Sequence, residues 1–146
     1  MRHARVQLVL LIDDDEDDRL LFKEALAEVN PGIKFAYASD GYDALDYLKN
    51  CSTLPDCIFL DLNMPRMGGK KCLCELKKSD CFSGIPVFIY STSKNPEDVE
   101  ETKKLGATDY IQKPQDFDHI CKVISNVVSG DFEKLENSAN HLKAKH

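Results

Sequence analysis

Groups that can do chemistry recur in this sequence at one kind of place, directly after short apolar runs. Asp13, Asp14 and Asp15 follow residues 6–12, and Asp61 follows residues 57–60. Ser91, Thr92 and Ser93 follow residues 85–90, and Lys113, with Pro114 behind it, follows residues 110–111. If the apolar runs are parallel strands of one sheet, these carboxylates, hydroxyls and the ammonium converge beyond its carboxyl edge, where open α/β sheets bind ligands. Three carboxylates gathered there repel one another. At ~4 Å and an effective dielectric near 20, each pair costs about 4 kcal/mol, so a cation is needed among them. Hard oxygen donors without His or Cys nearby favour Mg²⁺, or Mn²⁺, over zinc or copper. A divalent ion with a lysine and a hydroxyl opposite is equipment for handling a phosphoryl group, with one carboxylate left to attack phosphorus. Asp61 stands alone at the centre of the edge and is the natural nucleophile, while Asp13 and Asp14 are better placed as the metal pair.

Each group also has a plain reading. Residues 13–18 form an acidic run that suits a helix N-cap and its dipole, which accounts for Asp15 and residues 16–18. Asp13, Asp15, Asp17 and Glu24 also fit four positions of an EF-hand loop, but Asp18 stands where that loop needs glycine and a strand precedes it. Asp61 before Asn63-Met64-Pro65 suits an ordinary turn. The joint occurrence at one edge is what argues for a site.

The elements that must position these groups alternate in period. Strand-length apolar runs are expected at 6–12, 33–38, 57–60 and 85–90, with a short one at 110–111. Between them, Leu21, Phe22, Ala25, Leu26 and Val29 share one helical face, closed by Asn30-Pro31-Gly32. Further helices are expected over 41–49, over 70–78, from the Asn95-Pro96-Glu97-Asp98 start to Gly106, and over 117–128. Near-continuous apolar strands separated by helices argue for an α/β fold, a parallel sheet covered on both faces in a doubly wound three-layer sandwich.

Composition agrees with a single folded domain. The 146 residues are 42% apolar and 30% charged, near the average for globular chains. Nineteen Lys and Arg against 25 Asp and Glu give −6, which disfavours direct binding of nucleic acid or anionic membrane. Six cysteines without a C-x-x-C pair are expected to be reduced and mainly buried, as in a cytoplasmic protein. No apolar run approaches the ~18 residues of a membrane span.

At these residues the sequence resembles the receiver domains of two-component response regulators. The likeness rests on Asp13-Asp14 with Arg19, on Asp61-Leu62-Asn63-Met64-Pro65 with Gly69, on Ser91-Thr92, on Gly106-Ala107 and on Lys113-Pro114, and spans roughly residues 6–129. It implies a flavodoxin-like, five-stranded parallel sheet in the order 2-1-3-4-5. It implies that Asp61 is the phosphoacceptor, taking phosphate from a sensor histidine kinase or phosphotransfer domain. Asp14 would ligate Mg²⁺ directly, Asp13 mostly through water, and the Asn63 backbone carbonyl would complete the protein ligands with Asp61. Lys113 would pair with the phosphoryl oxygens from a cis bond to Pro114. Ser91 would be the switch hydroxyl and Tyr110 the aromatic that follows it inward, and Thr92, Ser93 and Asn63 would tune the lifetime of the phosphate. Gly68 stands where the family often has Asp, which removes an N-cap from the third helix and suggests a frayed first turn there.

Most response regulators attach an output domain, for which these 146 residues leave no room, so the expectation is a stand-alone receiver over residues 1–129, a signalling phosphoacceptor that assists only its own phosphorylation and dephosphorylation. Residues 130–146 form a C-terminal extension, an extra helix or a tail, with Phe132, Leu135, Ala139 and Leu142 at helix-like spacing. The fifth helix is richer in apolar residues than one buried face requires, which burial under the extension and a homodimer through the two would each explain; a downstream protein partner is expected as well. The fourth helix is nearly all polar and is expected to be mobile and exposed. Two alternatives stay open. A haloacid-dehalogenase-like phosphatase would use Asp13-x-Asp15, although nothing here offers it a cap, and a non-phosphorylated receiver-like scaffold would use none of this chemistry. A flavodoxin-like nucleotide-binding module ranks last, for want of a Gly-rich phosphate loop.

Overall fold

The computed structural model describes residues 5–129. The elements run β1 (Leu8–Ile12), α1 (Glu16–Val29), β2 (Lys34–Ala38), α2 (Gly41–Asn50), β3 (Cys57–Leu60), α3 (Gly69–Lys78), β4 (Val87–Ser91), α4 (Pro96–Lys104), β5 (Asp109–Gln112) and α5 (Phe117–Val128). All neighbouring strands are parallel, in the order β2-β1-β3-β4-β5. The α/β sandwich and strand order expected from the sequence are those observed.

Alternation along the central strands makes two cores. Leu10, Ile12, Ile58, Leu60, Val87 and Ile89 face α2 and α3, meeting Ala44, Leu48, Leu73 and Leu76. Val9, Leu11, Phe59, Phe88 and Tyr90 face α1 and α5, meeting Phe22, Leu26, Ile120 and Ile124. Because β1, β3 and β4 are covered on both sides, their sequences carry no polar/apolar alternation. Edge strand β2 is only partly buried.

Several boundaries differ from the sequence reading for local reasons. The ladder of β1 begins at Leu8, and the backbone N–H groups of Gln7 and Leu8 instead donate to the Asp56 carboxylate at 2.7 and 3.0 Å. β4 begins at Val87 because Pro86 has no N–H to give; its carbonyl accepts from Ile58. Leu21, placed on the inner face of α1 by its spacing, is 43% exposed, since Phe22, Ala25 and Leu26 fill that face and Leu21 lies at its margin. The cysteines are free, but only Cys57 and Cys72 are buried; Cys51, Cys74 and Cys121 are half-buried, and Cys81 is exposed. Those that escape burial lie on helices and connections rather than in the central strands.

The apolar excess of α5 is largely taken up by packing. Ile120, Ile124 and Val127 are buried, and Cys121, Val123 and Val128 pack at the edge of the same core. Helix α4 buries only Thr102, in keeping with its polar sequence. The expected extension, residues 130–146, lies outside the described residues. Among the described residues no helix is long and apolar enough to cross a membrane.

Gly68 is the N-cap of α3, at φ −74° and ψ 174°, and no side chain caps that end. Gly68→Asp should add an acceptor and a favourable charge at the helix start. A β-carbon there would sit 3.2 Å from the Leu62 carbonyl oxygen, which offsets part of the gain. The expected outcome is a net stabilisation of about 0.5 kcal/mol in urea unfolding; a lower midpoint would contradict it.

Candidate functional site

Backbone hydrogen bonds carry the parallel ladder one residue past the strands and deliver the site. Asp13 N–H donates to the Ala38 carbonyl at 3.0 Å, Asp61 N–H to Ile12 at 2.9 Å, and Lys113 N–H to Ser91 at 2.8 Å. Asp13, Asp61 and Lys113 are thus fixed by the sheet itself. The aromatic cluster of Phe22, Phe59, Phe88 and Tyr90 supports them from below, with the Lys113 ammonium 5.7 Å from the Tyr90 ring centre.

Carboxylate oxygens from Asp13, Asp14 and Asp61 all lie within 4.8 Å of one another. Asp13 is fully buried, Asp61 is 6% exposed, and Asp14 faces solvent. One Asp13 oxygen, Oδ1, accepts the Asp15 N–H at 2.9 Å. The other, Oδ2, is buried without a well-aligned hydrogen-bond donor among the described residues, although the Lys113 ammonium lies 2.8 Å away. Asp61 Oδ1 accepts the Leu62 N–H at 2.9 Å, and its Oδ2 faces Lys113 at 3.7 Å.

Burial pushes the Asp61 carboxyl up to about 6; Lys113 opposes the rise, while Asp13 and Asp14 add to it. Burial likewise raises Asp13, against the pull of Lys113. For Lys113 itself, burial works against the charge, but Asp13, Asp18 and Asp61 outweigh it and hold the ammonium above its ordinary range. A buried, under-coordinated carboxylate oxygen inside an all-oxygen acidic cluster fits a hard divalent cation.

The remaining expected residues lie on β4, on β5 and on the loops that follow β3 and β4. Ser91 is fully buried, and its hydroxyl oxygen accepts the Ser93 N–H at 3.2 Å. The Ser93 hydroxyl donates to Asp98 at 2.6 Å, and the half-buried Tyr110 donates from its hydroxyl to the Ser93 carbonyl at 2.9 Å. Thr92 and Asn63 are exposed on the adjoining loops. The Arg19 guanidinium donates to the Asp13 carbonyl at 2.8 Å and lies over the Tyr37 ring.

Two expectations are corrected here. Among the described residues no peptide bond is cis, so Lys113–Pro114 is trans, the ordinary preference of an X–Pro bond, and Lys113 reaches its carboxylates from it. Asp18, read from sequence as a dipole complement alone, accepts from Lys113 at 2.8 Å. It lies three residues after the N-cap Asp15, which turns its side chain back toward the sheet edge. That helical offset was the available signal. Arg66 and Asp40, joined across 26 positions, and Lys70 with Asp98 were also missed. No local spacing announces either pair.

A parallel α/β sheet with three carboxylates and a lysine gathered at its carboxyl edge suits phosphoryl-group chemistry. The profile of the response regulator receiver domain matches residues 9–125, and the chain belongs to that family. It is accordingly a receiver of two-component phosphorelay signalling. Rcp1 of Synechocystis sp. is 28% identical over 128 residues, covering 84% of this chain and 87% of that protein. The Mn²⁺-bound structure of Rcp1 superposes with a TM-score of 0.74, covering 83% of this chain and 91% of that one. The phosphorylated cyanobacterial phytochrome regulator RcpA gives a TM-score of 0.77 at 29% identity, covering 84% and 91%. The sensor histidine kinase CheAY of Helicobacter pylori is 30% identical over 121 residues, 83% of this chain but 15% of that protein. The likeness to CheAY thus concerns one segment of a much longer protein. The family match replaces the phosphatase alternative, and the three carboxylates fit a receiver metal site.

Proposed function

We propose that this chain takes a phosphoryl group from a histidine kinase or phosphotransfer protein onto Asp61, and that the resulting acyl phosphate alters a surface read by a downstream protein. The observation that carries the reading is the convergence of Asp13, Asp14 and Asp61 with the Lys113 ammonium set among them. Asp14 and Asp61 would hold Mg²⁺ directly, Asp13 mostly through water, and the Asn63 carbonyl would complete the set. The ion would neutralise the acidic cluster and polarise the incoming phosphoryl oxygens. An Asp61 oxygen forms the new P–O bond as the P–N bond of the donor phosphohistidine breaks, and the imidazole keeps the bond's electron pair and takes a proton. Lys113 balances charge that develops on the phosphoryl oxygens.

On phosphorylation the Ser91 hydroxyl, whose oxygen accepts from the Ser93 N–H, would turn to donate to the phosphoryl group. Because Ser93 donates from its N–H to Ser91, accepts from the Tyr110 hydroxyl and donates from its own hydroxyl to Asp98, that turn would be relayed through Ser93 to the ring and to the start of α4. Thr92, Ser93 and Asn63 border the approach to Asp61 and tune the survival of the phosphate. The protein assists only its own phosphorylation and dephosphorylation. Residues 130–146 form an extension to the receiver, and with α5 they offer a route to a homodimer in the phosphorylated state.

Intact mass after incubation with acetyl phosphate and Mg²⁺ tests the reading. The expected result is one base-labile phosphoryl adduct that needs the ion and is absent in Asp61→Asn. If neither acetyl phosphate nor any phosphohistidine donor yields an adduct, the chain is a receiver-like scaffold instead.

A further inference from the structure

The loop after β3 carries a residue whose backbone is hard to explain by its own preference. Arg66 has φ +63°, a left-handed conformation that a side chain with a β-carbon disfavours. Its guanidinium is tied down on one side. Nε donates to the buried Asp40 carboxylate at 2.5 Å, and a terminal nitrogen reaches Asp43 at 3.2 Å. The group also lies 5.6 Å from the centre of the Tyr42 ring. Asp40 uses its other oxygen to cap α2, accepting from the Asp43 N–H at 2.9 Å. Arg66 holds the Asp40 carboxyl below its usual range even though burial opposes this.

The same seam is closed by backbone. Gly41 N–H donates to the Met67 carbonyl at 3.2 Å, and a β-carbon on Gly41 would overlap the Met67 side chain. At the other end of the loop, Gly69 N–H donates to Leu62 at 2.8 Å, and a β-carbon on Gly69 would strike the Asp61 carbonyl. The segment from Asp61 to Gly69 is thus pinned where it leaves Asp61 and where it meets α2. Arg66 supplies the side-chain part of the second pin, and Asn63 lies between the two.

We propose that Arg66 is a positioning residue for the cation site, acting through its clamp on Asp40 and Asp43. Held at the N-terminus of α2, the kink at Arg66 fixes the path of the chain back to Asn63 and Asp61. Without the clamp the loop relaxes, and the oxygen set beside Asp61 disperses. The inference rests on the proposed role of Asp61 and Asn63 as ligands, and it says what aligns them.

Charge alone predicts a different outcome, which makes the test sharp. Arg66→Ala deletes a positive charge near a cation site and would tighten binding by simple Coulomb attraction, whereas Asp40→Asn would weaken it. The clamp requires both to weaken it. Mn²⁺ affinity of the full chain, read from the free-ion electron paramagnetic resonance signal, should fall about 10-fold in Arg66→Ala. Asp40→Asn, which keeps an N-cap acceptor for α2, should move the same way, and the double variant should lose no more than Arg66→Ala alone. Arg66→Lys should restore part of the affinity. Arg66→Gly, which suits the left-handed backbone but cannot clamp, should bind as weakly as Arg66→Ala. Metal-free thermal unfolding checks that each variant is folded, and Arg66→Gly, which relieves the left-handed backbone and for which charge alone predicts tighter binding, carries the test should Arg66→Ala fail that check.

Unchanged or tighter Mn²⁺ binding in Arg66→Ala, or full affinity in Arg66→Gly, would overturn the clamp while leaving the receiver site standing. A native chain that binds no Mn²⁺ would remove the metal-site reading itself, and the clamp with it.

Discussion

Asp61→Asn unfolds about 2 kcal/mol less readily than the native chain at pH 8 without divalent ion, and in saturating Mg²⁺ the order reverses. The metal-free native state holds Asp61 ionised at a place that raises its carboxyl from 3.8 to about 6. That gap corresponds to roughly 3 kcal/mol of unfavourable burial and repulsion at pH 8. Because the folded-state value is the higher one, the folded protein binds more protons than the unfolded chain between about pH 4 and 6. Stability from this group is therefore greatest below pH 4 and is lost as pH rises through 6. Asparagine removes the charge and keeps an oxygen for the Leu62 N–H, so most of the 3 kcal/mol returns, worth several degrees in Tm. Mg²⁺ at about 100 times its Kd would stabilise the native chain by about 2.7 kcal/mol, and Asp61→Asn, short of one ligand, forfeits most of that. Thermal unfolding at pH 5 and 8, with and without Mg²⁺, checks all four conditions. A variant less stable than the native chain at pH 8 without metal would mean that Asp61 is not held in a strained charged state. One that keeps the full Mg²⁺ response would mean that Asp61 is not a ligand.

That prediction was within reach of the sequence, because the groups it concerns are set by local pattern. β3 reads Cys-Ile-Phe-Leu with all four residues buried, and the next residue must turn off the sheet edge. The same reasoning placed Asp13, Ser91 and Lys113, since a parallel sheet presents the ends of its strands together. What local pattern does not carry is partner choice across the fold. Asp18 meets Lys113 over 95 positions, and Arg66 meets Asp40 over 26. Each required knowing how a helix start is aimed relative to a loop. Gly41 reads from sequence only as the start of the second helix, yet its missing β-carbon is what admits Met67 against α2. Leu21 shows the converse limit, for periodicity identifies an apolar face but not where a neighbouring helix stops covering it.

Replacing Lys113 by Ala tests the other half of the electrostatic arrangement, and its effect has the opposite sign. The Lys113 side chain is 10% exposed, and its ammonium lies 2.8 Å from Asp13 and from Asp18 and 3.7 Å from Asp61. Asp13 is fully buried, and its Oδ2 is the atom with no well-aligned donor among the described residues, so Lys113 is the counter-charge that makes an ionised Asp13 tolerable. Removing one member of a buried ion pair leaves the other uncompensated and costs about 3 kcal/mol or more. The loss should be full at pH 8, because the stabilisation from Lys113 persists at every pH below its ordinary 10.5 and disappears only above its raised value. It should shrink toward pH 5 as Asp13 and Asp61, both already raised, take up protons in the variant. Mg²⁺ should offset part of the loss, since the ion supplies positive charge to the same oxygens. Phosphoryl transfer from acetyl phosphate should nonetheless stay slower by about 100-fold with Mg²⁺ present, because a bound ion cannot replace a donor aimed at the phosphoryl oxygens. Urea unfolding at the two pH values, set beside adduct formation by intact mass, separates the structural share from the chemical one. An unfolding midpoint at pH 8 equal to that of the native chain would show that the cluster tolerates its charge without Lys113. A native adduct rate in a variant that Mg²⁺ has restabilised would show that Lys113 serves the fold and not the transfer.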